Sequence, residues 1–328
     1  MKSKFAIDLK KDGEPVQSQF AVKFKKPPVE YKSSKQGKWF EIRLSDKTGE
    51  ITAKYWGRDT TETDNLYKSF SSGDVVFLSG EVSEYPKGSS IFSISIDAEK
   101  GALRKCSASE YDHSDFLAQT SKNIEGMLEE MKDLLLSIKD KHLAELVASF
   151  TSDEKFMSSF AKSPAAMEYH QNYIGGLLEH TLNVMRIADT LCKIHTELDR
   201  DLVIAGAFLH DIGKTVELNT SGTTIDVSEE GMLIGHTTIG YNMVSKQIDK
   251  MHEFPENLRL KTLHMVLSHN GKVEYGSPKV PQLPEATAVY YSDECDAKVD
   301  LFLRLKREAK TEDPWIWDKK IRGHIYLK

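Results

Sequence analysis

Between residues 18 and 100 apolar and polar positions alternate in short runs, as in FEIRL, ITAKYW and FSISI. Period-two alternation marks strands with one buried face. The runs Gln19–Lys25, Trp39–Ser45, Glu50–Trp56, Val75–Glu84 and Ser90–Asp97 therefore predict five strands. Asp46-Lys47-Thr48-Gly49 supplies a tight hairpin turn between the second and third, and Ser72-Gly73-Asp74 and Pro86-Lys87-Gly88 supply others. Thr61–Phe70, with apolar positions at Leu66, Tyr67 and Phe70, predicts a helix between the third and fourth strands. After Ala102 the spacing changes to three and four and reads as helical to the end of the chain. Phe116–Ser137 and Lys141–Phe150 predict a helical connector, and further helices are expected near 152–162, 175–195, 199–211, 234–251, 255–269 and 284–310. The polar, β-branched stretch Glu217–Ser228 interrupts them as a hairpin or loop.

Five strands with a helix between the third and fourth is the layout of the OB-fold barrel. The expected fold class is thus multidomain β + α: a five-stranded OB-fold barrel over 1–105, a helical connector over 106–160 and an all-α bundle over 161–328. A chain of 328 residues exceeds the size at which one core keeps growing, which agrees with more than one domain. Hydrophobic residues at 39% and charged residues at 29% exclude a collagen-like or wholly disordered protein. No apolar run approaches the roughly 20 residues needed to span a bilayer, and the first residues lack the apolar core of a signal peptide. A cytoplasmic protein without membrane contact is expected.

The net charge of −6 conceals an asymmetry. Residues 1–60 hold 14 Lys/Arg against 8 Asp/Glu, whereas from 111 onward 25 Lys/Arg meet 34 Asp/Glu. A positive module on an acidic body suits a first domain that handles a polyanion. The stretch GKWFEIRLSDKTGEITAKYWG followed by SGDVVFLSGEV resembles OB-fold domains of the nucleic-acid-binding kind. Aromatic rings offer stacking platforms for bases, and interleaved cations follow phosphates. Candidates are Trp39, Phe40, Tyr55, Trp56 and Tyr85 with Lys23, Lys25, Lys32, Lys35, Lys38, Lys54 and Arg58. Alternation obliges some of these aromatics to face inward as core. Trp39, Lys54, Tyr55 and Trp56 are the expected contacts.

Of eleven histidines, eight lie between His170 and His269. His180, the pair His210-Asp211, His236, His269 and Asp293 stand out because imidazole and carboxylate together suit Mn²⁺, Mg²⁺, Fe or Zn²⁺. Cys106, Cys192 and Cys295 have no paired spacing, which argues against a disulfide framework or a thiolate site. Neighbours on a helix point about 100° apart, so His210 and Asp211 share one ion only near the helix end, where Gly213 is placed to stop the helix. Alternatively the Asp211 carboxylate bridges two ions, with His210 on one of them.

The segments YHQNYIGGLLEHT, AFLHDIGK, IGHT, LSHNG, EYGSP and SDECDAKV resemble the HD-domain metal-dependent phosphohydrolase superfamily. More narrowly, an OB-fold ahead of YIGGLLEHT and SHNG–EYGSP resembles the YhaM family of 3′→5′ exoribonucleases. The resemblance implies a four-ligand set of His180, His210, Asp211 and Asp293, with His236 and His269 on a second ion. It also implies Mn²⁺ or a similar cation, two ions, with Fe, Co²⁺ or Mg²⁺ as alternatives. Asp296, three residues after Asp293 on one helical face, is the competing ligand by spacing, and the family pattern favours Asp293. Where such sequences carry a second histidine and an ADNLDA-type stretch, this chain has Gln171 and SDECDA. His170 would touch substrate or support a ligand, and His264 would pack.

The activity implied is phosphodiester hydrolysis of single-stranded RNA, or single-stranded DNA, releasing nucleoside 5′-monophosphates from the 3′ end. Asp211 and Lys214 are the expected catalytic residues, the lysine offsetting transition-state charge or complementing the helix dipole. Two other readings are a small-nucleotide HD phosphohydrolase and a non-catalytic nucleic-acid-binding adaptor. A homo-oligomer built through the helical domain is a further expectation.

Overall fold

The structure, a computed structural model, describes residues 2–328 apart from 33–35, 168–170, 221, 222, 224, 310, 312 and 320. It divides into two compact units, Met1–Gln119 with Thr220–Ile225, and Thr120–Asn219 with Asp226–Lys328.

The first unit contains β1 (Pro15–Lys25), β2 (Val29–Glu30), β3 (Lys38–Asp46), β4 (Gly49–Trp56), α1 (Thr60–Lys68), β5 (Val75–Glu84), β6 (Phe92–Asp97) and β7 (Ala102–Lys105). Strands run in the order β1-β3-β4-β6-β5, and β1 pairs with β5 to close the barrel. Only β4 and β6 pair in parallel among these; the other neighbours are antiparallel. Alternate residues Phe40, Ile42 and Leu44 of β3, with Phe20, Leu78, Ile94 and Ile96, point inward and are buried. The Asp59 side chain accepts the Glu62 N–H and so starts α1, whose Leu66 and Tyr67 pack against this core. β1 begins at Pro15 rather than Gln19, because residues 15–21 pair with β5. β2 and β7 were not anticipated: each is short and buries at most one side chain.

The second unit begins with α2 (Ile124–Leu136), α3 (Lys141–Thr151), α4 (Glu154–Lys162), α5 (Gly176–Ile194), α6 (Arg200–Leu209) and α7 (Lys214–Glu217). A hairpin of β8 (Leu218–Asn219) and β9 (Asp226–Val227) follows, within the 217–228 interruption. Then come α8 (Glu229–Ile234), α9 (His236–Ile248), α10 (Glu256–Ser268), α11 (Pro284–Glu308), β10 (Trp315–Asp318) and β11 (Gly323–Tyr326). Asn123, Asp140, Asp153 and Asp199 cap α2, α3, α4 and α6 through their side chains, at about 1 kcal/mol each. Every residue of α6 from Leu202 to Leu209 is buried, so this helix is the centre of the bundle. Phe208 packs there on Phe160 with ring centroids 5.8 Å apart. Emptying such a position costs about 3–5 kcal/mol.

Four expectations change. The 106–160 connector is divided: Phe116 is buried with Ala21, Val75 and Cys106 in the first unit, so α2 starts at Ile124 rather than near 116. Met127, Met131, Leu143 and Phe150 of α2 and α3 join the same core as α5 and α6, because their apolar faces have to be covered. The helix expected over 234–251 is α9, His236–Ile248, and the short α8 ahead of it, ended by Gly235 at φ 78°, was not anticipated. The chain also ends in a β-hairpin rather than a helix; WIWD and GHIY alternate with period two. Among the described residues no helix is long and apolar enough to cross a membrane.

Candidate metal centre

The bundle's central helix delivers the site. α6 ends at Leu209 with His210 as its C-cap, and Asp211 follows at once, buried at the end of the most apolar helix. His180 lies on the first turns of α5, whose start is set by Gly175 at φ 83°. His236 opens α9, His269 caps α10, and Asp293 sits within α11. Gly213 does not stop a helix through left-handed geometry, since its φ is −62°. It allows a close approach instead: a Cβ there would lie 2.0 Å from the His236 carbonyl oxygen. That contact brings the α9 start against Asp211.

All six proposed ligands converge. His180, His210 and Asp293 form one group and Asp211, His236 and His269 another, with the donor atoms of each group within 4.8 Å of one another. Asp211 joins the groups. Its Oδ2 lies 3.3 Å from His210 Nε2 and 3.6 Å from His180 Nε2. Its Oδ1 lies 3.4 Å from His269 Nε2 and 3.6 Å from His236 Nε2. Asp293 Oδ1 is 3.1 Å from His180 Nε2. The rings are anchored from behind. Nδ1 of His210 and of His269 each lie 2.7 Å from a backbone carbonyl, Ala207 and Val266, which fixes Nε2 toward the cluster.

Asp211 Oδ1, His236 Nε2 and His269 Nε2 are buried with no hydrogen-bond partner. Orphaned buried polar atoms are expensive, and three that converge fit one divalent ion. The nitrogen and oxygen donors, free of sulfur, fit the ions expected from the sequence.

Electrostatics keep the Asp211 carboxylate ionised. Burial by itself would raise the Asp211 pKa, but Lys214, His210 and His269 hold it well below the usual carboxylate range. Burial opposes charge on His180, yet its hydrogen bonds to Asp293 and Asp296 push it up to about 9, so a cation bound at Nε2 would have to displace that proton. Asp296 meets His180 Nδ1 at 2.7 Å, on the side of the ring away from the other ligands. The two aspartates therefore separate: Asp293 faces the ligand cluster and Asp296 orients the ring. Lys214 Nζ is 2.6 Å from Asp211 Oδ2, so its ammonium is part of the cluster.

Sequence reasoning missed several supporting residues. Glu217 Oε1 accepts the His236 backbone N–H at 2.9 Å and faces its Nδ1 at 3.1 Å. Gln171 and Asn183 donate to Asp296 at 2.8 and 2.9 Å. Asn183 carried a signal, three residues after His180 on one helical face; Glu217 carried none. His264 accepts the Gln282 N–H at 2.9 Å, away from both groups. His170 lies outside the described residues.

On the barrel, Trp39 and Trp56 are cross-strand partners on β3 and β4 and stack at 5.4 Å, with Tyr31 stacked on Trp56 at 6.3 Å. Lys54, two residues before Trp56, shares that outer face and is half-buried. Tyr55 corrects its expectation: it pairs across the inner face with buried Phe40 and packs on the core. Lys25 bonds the Tyr67 and Phe70 carbonyls and so is engaged within the barrel. Lys23, Lys38 and Arg58 are paired with Glu50, Asp64 and Asp97. Lys32 and Tyr85 are exposed, and Lys35 lies outside the described residues.

Comparison with known proteins places both units. Residues 177–298 match the HD domain, and residues 22–101 match an OB-fold nucleic acid binding domain. The chain is 32% identical over 280 residues to the 3′-5′ exoribonuclease YhaM of Listeria monocytogenes serotype 4b, covering 85% of each chain. To the YhaM of Halalkalibacterium halodurans it is 32% identical over 314 residues, 95% of this chain and 91% of that one. The YhaM of Geobacillus sp. (strain WCH70) is likewise 32% identical, covering 81% of this chain and 78% of its own. Identity sustained across both the barrel and the histidine-bearing bundle means that the chain belongs to the YhaM family of 3′-5′ exoribonucleases.

Proposed function

We propose that this protein is a divalent-metal-dependent 3′→5′ exoribonuclease that hydrolyses single-stranded RNA, with single-stranded DNA as a second substrate, to nucleoside 5′-monophosphates. One observation carries the reading: the buried Asp211 carboxylate presents one oxygen to His180 and His210 and the other to His236 and His269. Two divalent cations bound to these side chains, with Mn²⁺ the favoured ion, would supply Lewis-acid polarisation of a phosphoryl oxygen and acidify the attacking water.

The chain's own residues do the rest. Backbone carbonyls of Ala207 and Val266 aim His210 and His269, and Asp296 and Glu217 aim His180 and His236. Lys214 keeps Asp211 ionised and would offset charge developing on the phosphoryl group. The Trp39–Trp56–Tyr31 stack, with Lys54 beside it, offers rings and a charge to a single strand. Because barrel and bundle are one chain, holding the strand on one raises its effective concentration at the other.

Incubation with Mn²⁺ and end-labelled single-stranded RNA tests the reading. 5′-Labelled RNA should shorten stepwise, and 3′-labelled RNA should release labelled mononucleotide from the outset. A small-nucleotide phosphohydrolase would leave both intact without a mobility shift, and an adaptor would shift them uncut. Asp211→Ala should abolish hydrolysis and keep the mobility shift; turnover surviving at saturating Mn²⁺ would refute the metal assignment.

A further inference from the structure

The chain's final hairpin turns an aromatic face to solvent. β10 and β11 pair antiparallel with Trp315 opposite Tyr326, Ile316 opposite Ile325 and Trp317 opposite His324. Strand alternation sends Ile316 and Ile325 to one side, where Ile325 is buried. It sends Trp315, Trp317, His324 and Tyr326 to the other. There Trp315, Trp317 and Tyr326 are 52%, 60% and 54% exposed. Trp315 and Tyr326 lie 4.9 Å apart at 50°, and Trp317 and His324 lie 5.1 Å apart at 75°. The rings are canted against one another, which leaves ring faces open to a further planar group.

Water-facing hairpin positions are ordinarily polar, and none of these rings takes part in the metal cluster. Within the hairpin, residues 315–326, Lys319, Lys320 and Arg322 outnumber the one carboxylate, Asp318. Residues 319–328 hold Lys319, Lys320, Arg322 and Lys328 and no carboxylate, and Lys319, Arg322 and Lys328 are exposed. Of the described acids beside it, Asp313 accepts the Trp315 N–H at 2.9 Å and Asp318 the Ile321 N–H at 3.0 Å.

We infer that this face is a second binding platform for single-stranded nucleic acid, on which Trp315, Trp317, His324 and Tyr326 stack bases while Lys319, Arg322 and Lys328 contact phosphates. Alternating ring and cation is the chemistry by which a single strand is held without reading its sequence. An apolar protein partner would call for aliphatic neighbours, and the border here is cationic. The inference rests on the exoribonuclease reading and adds a subsite for the strand being degraded.

The test is binding of fluorescein-labelled oligo(U) to the full chain in EDTA, followed by anisotropy. Trp315→Ala with Trp317→Ala should weaken binding by about tenfold or more, whereas the double Phe variant should hold it near the wild-type value. Arg322→Glu should weaken binding and flatten its salt dependence. Thermal melts matching the wild type certify folding, and in a variant that melts early the Arg322→Glu result decides. Unchanged affinity in the double Ala and Arg322→Glu variants overturns the inference. So does a fall in oligomeric state by ultracentrifugation with affinity retained, which would make the face a contact between copies. Binding in EDTA requires no turnover, so a protein that fails to cut RNA in Mn²⁺ but loses affinity with these rings refutes only the catalytic reading.

Discussion

Asp296 meets His180 through Nδ1 at 2.7 Å, leaving the opposite nitrogen of that ring to the ligand cluster. A carboxylate behind a ligating histidine fixes tautomer and ring angle, and its removal usually costs 10–100-fold in metal affinity. Asp296→Ala should therefore weaken Mn²⁺ binding by about that factor and leave the number of bound ions unchanged. Asp293→Ala should remove an ion. Calorimetric titration with Mn²⁺ separates the two, and the reverse pattern would exchange the assignments.

Gly213→Ala should both destabilise the protein and loosen the metal site. The added methyl would meet the His236 carbonyl at 2.0 Å, and overpacking of this kind costs about 1–3 kcal/mol. Since His236 is displaced with its backbone, scanning calorimetry should show the helical unit melting several degrees lower, by roughly 2–4 °C per kcal/mol. The same variant should bind Mn²⁺ more weakly. A wild-type melt with wild-type affinity would show that α9 yields without cost.

The outer face of β3 and β4 is tested by Trp39→Ala with Trp56→Ala. Each indole is a platform for one base, at about 1–3 kcal/mol by truncation. KM for a 20-nucleotide RNA should rise by at least about tenfold while kcat changes little. A fall in kcat at constant KM would mean that these rings serve barrel stability rather than the strand.

The thiols should differ in reactivity. Burial pushes Cys192 up to about 11 and also raises Cys106, while Cys295 is exposed. Thiolate is the reacting form, and a raised pKa leaves little of it at pH 8. Iodoacetamide at that pH should label Cys295 first in the native protein, with Cys106 and Cys192 following only in denaturant. Peptide mass spectrometry reads the order, and early labelling of Cys192 would contradict its burial.

Much of the fold was legible because local physics wrote it into the chain. Period-two alternation in FEIRL and ITAKYW has one solution on a closed barrel, with Ile42, Leu44 and Ile51 inside. The fully apolar run from Leu202 to Leu209 marks a segment buried on all sides, and it forms the central helix. Errors fell where the signal was short or had a second explanation. β7 offers a single buried side chain. Phe116, spaced like a helical residue, instead fills a gap beside Val75 and Cys106. The inward turn of Tyr55 followed from register with buried Phe40, which the alternation alone did not rank above its neighbours.

Sequence by itself determined which residue types were present for the chemistry: histidines and aspartates without paired cysteines, a basic first domain and an acidic second one, and motif spacing that resembles the HD superfamily. Tertiary structure decided how they divide the work. Asp293 and Asp296 share a helix face, and only the position of His180 between them shows that one faces the ligand cluster while the other orients the ring. Glu217 and His236 are distant in sequence and meet because Gly213 lets two backbones touch. Spacing along a helix reports direction, but which atom of a carboxylate faces which histidine depends on five separate helices or helix ends converging, and no local period encodes that.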